Sequence, residues 1–236
     1  MTNFVLLHGA FHGGWCWRDV AAPLRAHGHI VFTPTQTGLG ERRHLLSADI
    51  TLDTFVQDLV EVMIAEDITD AVLVGHSFGG NAISGVADLM PERVRHLVYL
   101  DSMILEHGDS PFSRLRPEVA AERTRLAQAS GGLSIPPPAP AAFGVPDGAG
   151  ADWLRERLTP HPFATFTSKL TLRHPVGNGR PCTYIVCTDP IYGPLQSSRD
   201  WVQGRPGWAW REIATGHDAM VTAPGALAAM LEEIAG

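Results

Sequence analysis

A serine between glycines is the first feature of this sequence that could do chemistry. Residues 75–79 read Gly-His-Ser-Phe-Gly, after the apolar run 71–74 and before a helix-like stretch over residues 80–90. This G-x-S-x-G pattern is typical of a nucleophile elbow, a sharp strand-to-helix turn that lifts the serine hydroxyl above a sheet. The two glycines let neighbouring backbone approach the serine closely. We therefore predict that Ser77 is the nucleophile of an acyl-transfer reaction.

The serine needs a base, and His217 has the best position of the 11 histidines. A histidine takes the serine proton at neutral pH, and a carboxylate orients that histidine and stabilises its charged form. In enzymes with such an elbow the chain order is serine, acid, histidine. His217 fits this order, because it lies in a Gly-His-Asp loop between the last predicted strand and the last predicted helix. His76 adjoins Ser77, but we expect its side chain to point elsewhere.

Two carboxylates compete for the role of the acid. Asp189 follows the fifth predicted strand and Asp101 follows the fourth, so both lie at carboxyl ends of strands, where ligands bind in parallel sheets. Both also satisfy the chain order. We favour Asp189 from its position relative to His217, and expect Asp101 to order the entry into the segment that follows it. Asp218, next to His217, is expected to be solvated.

The oxyanion of an acyl-transfer intermediate needs backbone donors. One is expected from the N–H of Phe78, directly after the nucleophile, and the other from the loop that follows the first strand. Residues 8–14 of that loop read His-Gly-Ala-Phe-His-Gly-Gly, and small residues allow backbone to approach a substrate. We predict Ala10 as the second donor, with Phe11 next in preference.

The pattern does not indicate a metal or a cofactor. His8 and His12 are four residues apart, but no further ligand stands at the spacing of a metal site. The loop lacks the G-x-G-x-x-G fingerprint of dinucleotide binding, and the chain has no P-loop Gly-Lys-Ser/Thr. We therefore predict no metal and no cofactor.

The elements that must position these residues alternate along the chain. Apolar runs separated by segments of helical periodicity predict an α/β fold, with a mostly parallel sheet of about six strands and helices on both faces. The predicted strands cover residues 4–7, 30–32, 71–74, 97–100, 184–187 and 208–213, and the predicted helices cover residues 15–27, 51–66, 80–90 and 224–234.

One long segment breaks the alternation, and it divides the chain into a core of residues 1–102 and 177–236 and an insertion of residues 103–176. The insertion contains proline-rich and glycine-rich stretches, several aromatic residues, and helical pieces near residues 117–130 and 151–158. Long insertions in compact domains are usually functional or disordered, and the aromatic content argues against full disorder. We expect a lid over the strand ends that lines an apolar pocket. Its candidate substrate-binding residues are Phe143 and Trp153, together with Phe11 of the core.

Composition excludes several other classes of protein. A net charge of −7 over 236 residues, without a long basic cluster, gives no reason to expect a nucleic-acid partner. No apolar run approaches the roughly 20 residues of a membrane helix. Three cysteines are too few for a disulfide framework, and the N-terminus does not resemble a secretion signal, so we expect a cytoplasmic protein. Monomer and homodimer stay open.

Taken together, these motifs resemble short bacterial α/β-hydrolases related to methyl-salicylate esterases and hydroxynitrile lyases. The similar segments are residues 4–17, 37–42, 74–80, 184–189 and 216–220, which leaves out the insertion. The resemblance implies a cap domain at the place of the insertion. It also implies cofactor-free hydrolysis with Ser77, Asp189 and His217 as a triad.

The sequence departs from the lyases of this group at two places. Those lyases have a threonine in the first-strand loop and a lysine after the catalytic histidine, whereas this chain has Gly9 and Ala10 in the loop and Asp218 after His217. The chain therefore lacks the cation that would bind cyanide in the lyase reaction. We expect a serine hydrolase of the carboxylesterase type that cleaves small to medium apolar esters. The alternatives are an amidase or carbamate hydrolase with the same triad, a lyase, or a non-catalytic ligand receptor.

Overall fold

A six-stranded parallel sheet lies at the centre of the molecule. The computed structural model describes residues 1–236. The strands are β1 (Asn3–Leu7), β2 (Ile30–Phe32), β3 (Ala71–His76), β4 (Val94–Leu100), β5 (Ser134–Ile135), β6 (His161–Pro162), β7 (Cys182–Cys187) and β8 (Trp208–Ile213). The large sheet has the order β2-β1-β3-β4-β7-β8, and all neighbours are parallel. The predicted α/β class and the six parallel strands are confirmed.

Helices cover both faces of this sheet because successive strand residues point to opposite sides. In β1, Val5 and Leu7 join one apolar cluster, whereas Phe4 and Leu6 join the other. The helices are α1 (Arg18–Ala26), α2 (Leu52–Ala65), α3 (Gly80–Leu89), α4 (Pro111–Arg114), α5 (Pro117–Gln128), α6 (Ala149–Arg155), α7 (Ala164–Thr167), α8 (Gln196–Val202), α9 (Ala219–Thr222) and α10 (Pro224–Ala235). Residues of α2 and α3 belong to the first cluster, and residues of α1 and α10 to the second.

Local sequence explains where the helices begin. Thr51 stands in extended conformation before α2, and its N–H donates to Thr54 Oγ1 at 3.1 Å. This satisfies one of the donors that a helix start leaves without a partner. The predicted helix over residues 15–27 is instead a short 3-10 turn, Gly14–Trp17, followed by α1. None of the ten helices combines the length and apolar composition that crossing a membrane requires.

Residues 103–176 lie between the adjacent strands β4 and β7. The segment contains α4 to α7 and a small antiparallel pair, β5 with β6, that the sequence did not indicate. Each strand of this pair has only two residues, too few to show alternation. The aromatic ring of Phe166 in this segment packs edge-on against Phe78, with ring centroids 5.0 Å apart. The insertion therefore contacts the elbow directly.

Candidate active site

Ser77 occupies a tight turn between β3 and α3. Its φ of +52° lies in the left-handed region that a side chain rarely adopts, and strain of this kind clusters at active sites. The Ser77 carbonyl accepts hydrogen bonds from Ser102 Oγ at 2.7 Å and from Met103 N–H at 3.0 Å, which hold the turn. At Gly79 a Cβ would lie 2.7 Å from the His8 carbonyl oxygen, so only glycine fits there.

His217 lies within hydrogen-bond reach of the serine. Its Nε2 is 2.9 Å from Ser77 Oγ, and its side chain is nearly buried. The Tyr192 ring stacks on the imidazole with centroids 4.0 Å apart and planes at 19°. The stacking and the hydrogen bonds fix the orientation of the ring. The structure therefore brings together the two residues predicted as nucleophile and base.

The partner of His217 is Asp101, so the choice of Asp189 was wrong. Asp101 Oδ2 accepts from His217 Nδ1 at 2.7 Å, and Asp101 is fully buried. Asp189 is exposed, and its N–H donates to the Thr215 carbonyl at 3.0 Å on the rim of a separate surface groove. Asp101 does not serve only to order the entry into the insertion.

The order of the strands explains this correction. Asp101 follows β4, which is the direct neighbour of β3 and its serine, about 4.8 Å away in the sheet. Asp189 follows β7, which is two strand spacings from β3. The φ of Asp101 is +36°, a second left-handed residue that turns the carboxylate at the strand end.

Arg199, which sequence reasoning missed, holds the second oxygen of Asp101. Its Nη1 lies 3.4 Å from Asp101 Oδ1, and its Nη2 donates to the Tyr192 carbonyl at 3.0 Å. Arg199 is 5% exposed although it is an arginine of a surface helix, α8. Only the burial of an arginine in the three-dimensional structure reveals this role.

In the first-strand loop, the backbone N–H of Ala10 has no hydrogen-bond partner within the chain. The neighbouring N–H of Phe11 is used, because it donates to His161 Nδ1 at 3.2 Å. His8 Nδ1 donates to the Gly9 carbonyl at 2.8 Å while His8 Nε2 accepts from the Gln36 N–H at 3.1 Å. Since the Gly9 carbonyl and the Ala10 N–H share one peptide plane, His8 fixes the direction of that N–H.

His12 and Asp218 form a buried ion pair beneath the same loop, so the expectation that Asp218 is solvated was wrong. His12 Nε2 donates to Asp218 Oδ2 at 3.0 Å, and His12 Nδ1 donates to the Ala10 carbonyl at 2.7 Å. Both partners can only accept, so both ring nitrogens of His12 carry protons. Burial alone would lower the pKa of His12, but the charge and hydrogen bond of Asp218 outweigh it and raise the pKa.

We expect Asp218→Asn to lower the free energy of unfolding by about 3–5 kcal/mol at pH 7, because it leaves a buried imidazolium without its counter-charge. Urea denaturation measures this loss. The matched control is Glu232→Gln, which removes the acid of the more exposed pair with His27 and is expected to cost at most about 1 kcal/mol. Equal losses in the two variants would contradict the buried ion pair.

His76 packs against the base and, as expected, does not hydrogen-bond to its neighbour Ser77. The His76 and His217 ring centroids are 4.6 Å apart, and His76 Nε2 donates to the His217 carbonyl at 3.0 Å. Burial lowers the pKa of His76 well below its usual range. The neutral ring therefore supports the backbone of His217 without adding a charge.

His76, His217 and Asp218 offer possible metal-ligand atoms within 4.8 Å of one another. However, His217 already donates to Asp101 and faces Ser77, and His76 Nε2 faces a backbone carbonyl. Asp218 in turn accepts from His12, so hydrogen bonds within the protein already engage all three residues. The donor set does not fit a metal centre.

A small aromatic cavity opens above Ser77. Its volume is about 30 Å³, far below the roughly 300–1,000 Å³ of most ligand pockets. Phe11 and Phe143 line it together with Ala10 and Phe78. Trp153 does not line it, so that prediction was wrong.

The position of Trp153 follows from the packing of α6. The Trp153 ring packs edge-on against Trp15, with centroids 4.9 Å apart, and the guanidinium groups of Arg18 and Arg157 lie over it at 5.0 and 5.3 Å. These contacts hold Trp153 outside the first-strand loop, away from the strand ends.

Comparison with known proteins agrees with this architecture. Residues 4–230 match the model of the alpha/beta hydrolase family. The chain is 41% identical over 240 residues to a carbendazim hydrolyzing esterase of Nocardioides sp. (strain SG-4G), with 98% of each chain covered. It is 33% identical over 125 residues to methylesterase 7 of Arabidopsis thaliana, which covers 51% of this chain and 48% of the relative.

A solved structure is similar over the whole chain. It is an extracellular alpha/beta-hydrolase from a Paenibacillus species, described as sharing structural and functional homology with tobacco salicylic acid binding protein 2. The two superpose with a TM-score of 0.85 at 26% identity, covering 99% of this chain and 98% of the other. With its parallel sheet and the family match over residues 4–230, the chain belongs to the α/β-hydrolase family.

Proposed function

We propose that this hydrolase cleaves esters or carbamates of small molecules through an acyl-enzyme. The observation that carries the proposal is the hydrogen-bonded chain from Ser77 Oγ through His217 to Asp101. In this chain Asp101 keeps the His217 proton on Nδ1, which leaves the Nε2 lone pair directed at the serine. His217 takes the serine proton as Ser77 Oγ attacks the carbonyl carbon. It then protonates the leaving group and activates the water that releases the acid.

The oxyanion of the tetrahedral intermediate is assigned to the backbone N–H groups of Ala10 and Phe78. The free Ala10 N–H and its fixed peptide plane support this assignment. A donor of this kind is typically worth about 3–4 kcal/mol of transition-state stabilisation. Because Phe11 N–H is already bonded to His161, Ala10 is preferred over Phe11.

Residues 103–176 are proposed to act as a lid. The cavity of about 30 Å³ is too small for an ester substrate, so side chains at its mouth must move before binding. Helix α5 is the best candidate for the part of the lid that moves, because only Ala127 among its 12 residues is buried. Few buried contacts make an element easy to displace.

The choice of substrate class rests on the relatives. The protein that is 41% identical over nearly the whole chain is named for hydrolysis of carbendazim and is called an esterase, and the plant relatives are methylesterases. The aromatic walls of the cavity, including Phe11 and Phe143, suit a planar apolar group beside the reacting carbonyl.

A fluorophosphonate probe tests the proposal. We expect labelling at Ser77 and hydrolysis of p-nitrophenyl butyrate, with both lost in Ser77→Ala. Mass spectrometry of the labelled peptide locates the modified residue. Parallel assays on a methyl N-aryl carbamate and the matched methyl ester then rank the two substrate classes. Hydrolysis that persists in Ser77→Ala, or a probe that leaves Ser77 free, would refute the mechanism.

A further inference from the structure

One guanidinium enters the cavity above Ser77. Arg123 extends from α5 and is the one Lys or Arg residue among those that line the cavity. The lining contains no Asp or Glu, and Arg123 forms no ion pair within the chain. The cavity that holds the nucleophile and base thus contains a cation without an acid from the protein.

This distinguishes Arg123 from other arginines of the insertion, which pair with acids nearby. On the same helix, Arg125 pairs with Glu122 at 2.7 Å on the exposed side. Ion pairs with carboxylates are also formed by Arg114, Arg116, Arg155 and Arg157. Five arginines of the insertion therefore have an acid partner, whereas the one that lines the cavity has none.

The surroundings of Arg123 cover one flat face of its guanidinium and leave the N–H groups at the edge of the group. Its guanidinium lies over the Phe166 ring, 4.8 Å from the centroid, so one flat face is covered. Its hydrogen-bond donors project from the edge of the planar group. Beside it is Tyr192, whose hydroxyl oxygen accepts a hydrogen bond from Arg123 and whose proton stays available as a second donor. The Tyr192 ring also stacks on His217, so both donors lie close to the reacting groups.

A partly buried cation is costly unless an acceptor pairs with it. The protein places the Tyr192 hydroxyl beside Arg123 but no carboxylate in this cavity, so an acceptor that balances the charge must come from the substrate. Given the proposed function, on which this step rests, we propose that Arg123 and the Tyr192 hydroxyl bind a hydrogen-bond acceptor of the substrate, away from the carbonyl that Ser77 attacks. The preferred substrates are then aromatic esters or carbamates that carry a carboxylate, a carbonyl or a ring nitrogen.

The test compares esters with and without such an acceptor. The probes are phenyl acetate, the 3- and 4-acetoxybenzoates, which are anionic, and the 3- and 4-acetoxypyridines, which are neutral. We expect Arg123→Met to lower kcat/KM for at least one acceptor-bearing ester by about 10- to 100-fold, the range of hydrogen bonds to charged groups. Phenyl acetate should change by less than about threefold, since it offers the subsite nothing to bind.

Two further variants complete the test. Arg123→Lys keeps the charge and should restore part of the loss for the acetoxybenzoates, whereas Arg125→Met on the exposed side should leave all substrates unchanged. A selective loss in the benzoate arm identifies an anionic acceptor, and one in the pyridine arm a neutral acceptor. Equal effects on all five esters, including no effect, would overturn the subsite. If instead the wild-type protein leaves all five esters intact, the proposed function itself fails.

Discussion

Asp101→Asn is expected to lower kcat by about ten-thousand-fold, the size of effect known when the acid of a serine triad becomes an amide. In the native site, the Asp101 carboxylate accepts the proton of His217 Nδ1 at 2.7 Å. The asparagine amide can donate to Nδ1, which moves the ring proton to Nε2. An imidazole with its proton on Nε2 cannot accept the proton of Ser77.

Asp189→Asn is the matched control, because it makes the same chemical change at the strand end that the sequence favoured. Asp189 is exposed, so kcat should stay within about twofold of wild type. Steady-state hydrolysis of p-nitrophenyl butyrate by both purified variants decides between the two acids. A large loss in Asp189→Asn with activity retained in Asp101→Asn would reverse the assignment.

The free energy of unfolding should fall steeply as the pH is lowered. Burial lowers the pKa of His8 to about 3 and the pKa of His76 and His161 well below the usual range. The folded state therefore keeps these rings neutral in mild acid, whereas the unfolded chain protonates them near pH 6.5. Below that pH, stability falls by about 1.4 kcal/mol per pH unit for each ring, or about 4 kcal/mol for three. A typical stability of about 5–15 kcal/mol would be exhausted between about pH 5 and pH 3.

The dependence of stability on pH has the opposite sign for His12, because the pKa of His12 is raised in the folded state. The stability that His12 contributes is complete below about pH 6.5 and is lost as the pH rises through the folded-state pKa. Urea denaturation at a series of pH values measures both the loss of stability in acid and the loss at higher pH. His161→Gln removes one titrating ring, so it should reduce the acid slope by about a third. His44→Gln, at an exposed position, is the control. An unchanged slope in His161→Gln would contradict a neutral buried His161.

Ser77 and His217 could be predicted because their signals are local. The elbow needs glycines at fixed positions around the serine, and the structure explains the one at Gly79 by its contact with the His8 carbonyl. The alternation of apolar runs likewise predicted the six strands, since burial on both faces leaves a continuous apolar pattern. These properties depend on neighbours in the chain and on the general form of a parallel sheet.

The acid could not be chosen in the same way, because Asp101 and Asp189 both end strands and differ only in their distance from β3. That distance depends on the order of strands in the sheet, which is not written in any one segment. Arg199 and His161 were missed for a related reason. Their partners, Asp101 and the Phe11 N–H, lie 98 and 150 residues away along the chain. Trp153 was misplaced because an apolar ring alone does not say which surface it will cover.

The smallness of the cavity above Ser77 gives the enzyme a second way to discriminate between substrates. If the closed form predominates, the apparent dissociation constant of any substrate is its intrinsic value divided by the fraction of molecules that are open. A bulky substrate must then meet a rare conformer, while the closed form leaves little space for water beside the nucleophile. A substitution at Ala127, the one buried residue of α5, would thus alter affinity by shifting this equilibrium, although Ala127 does not line the cavity.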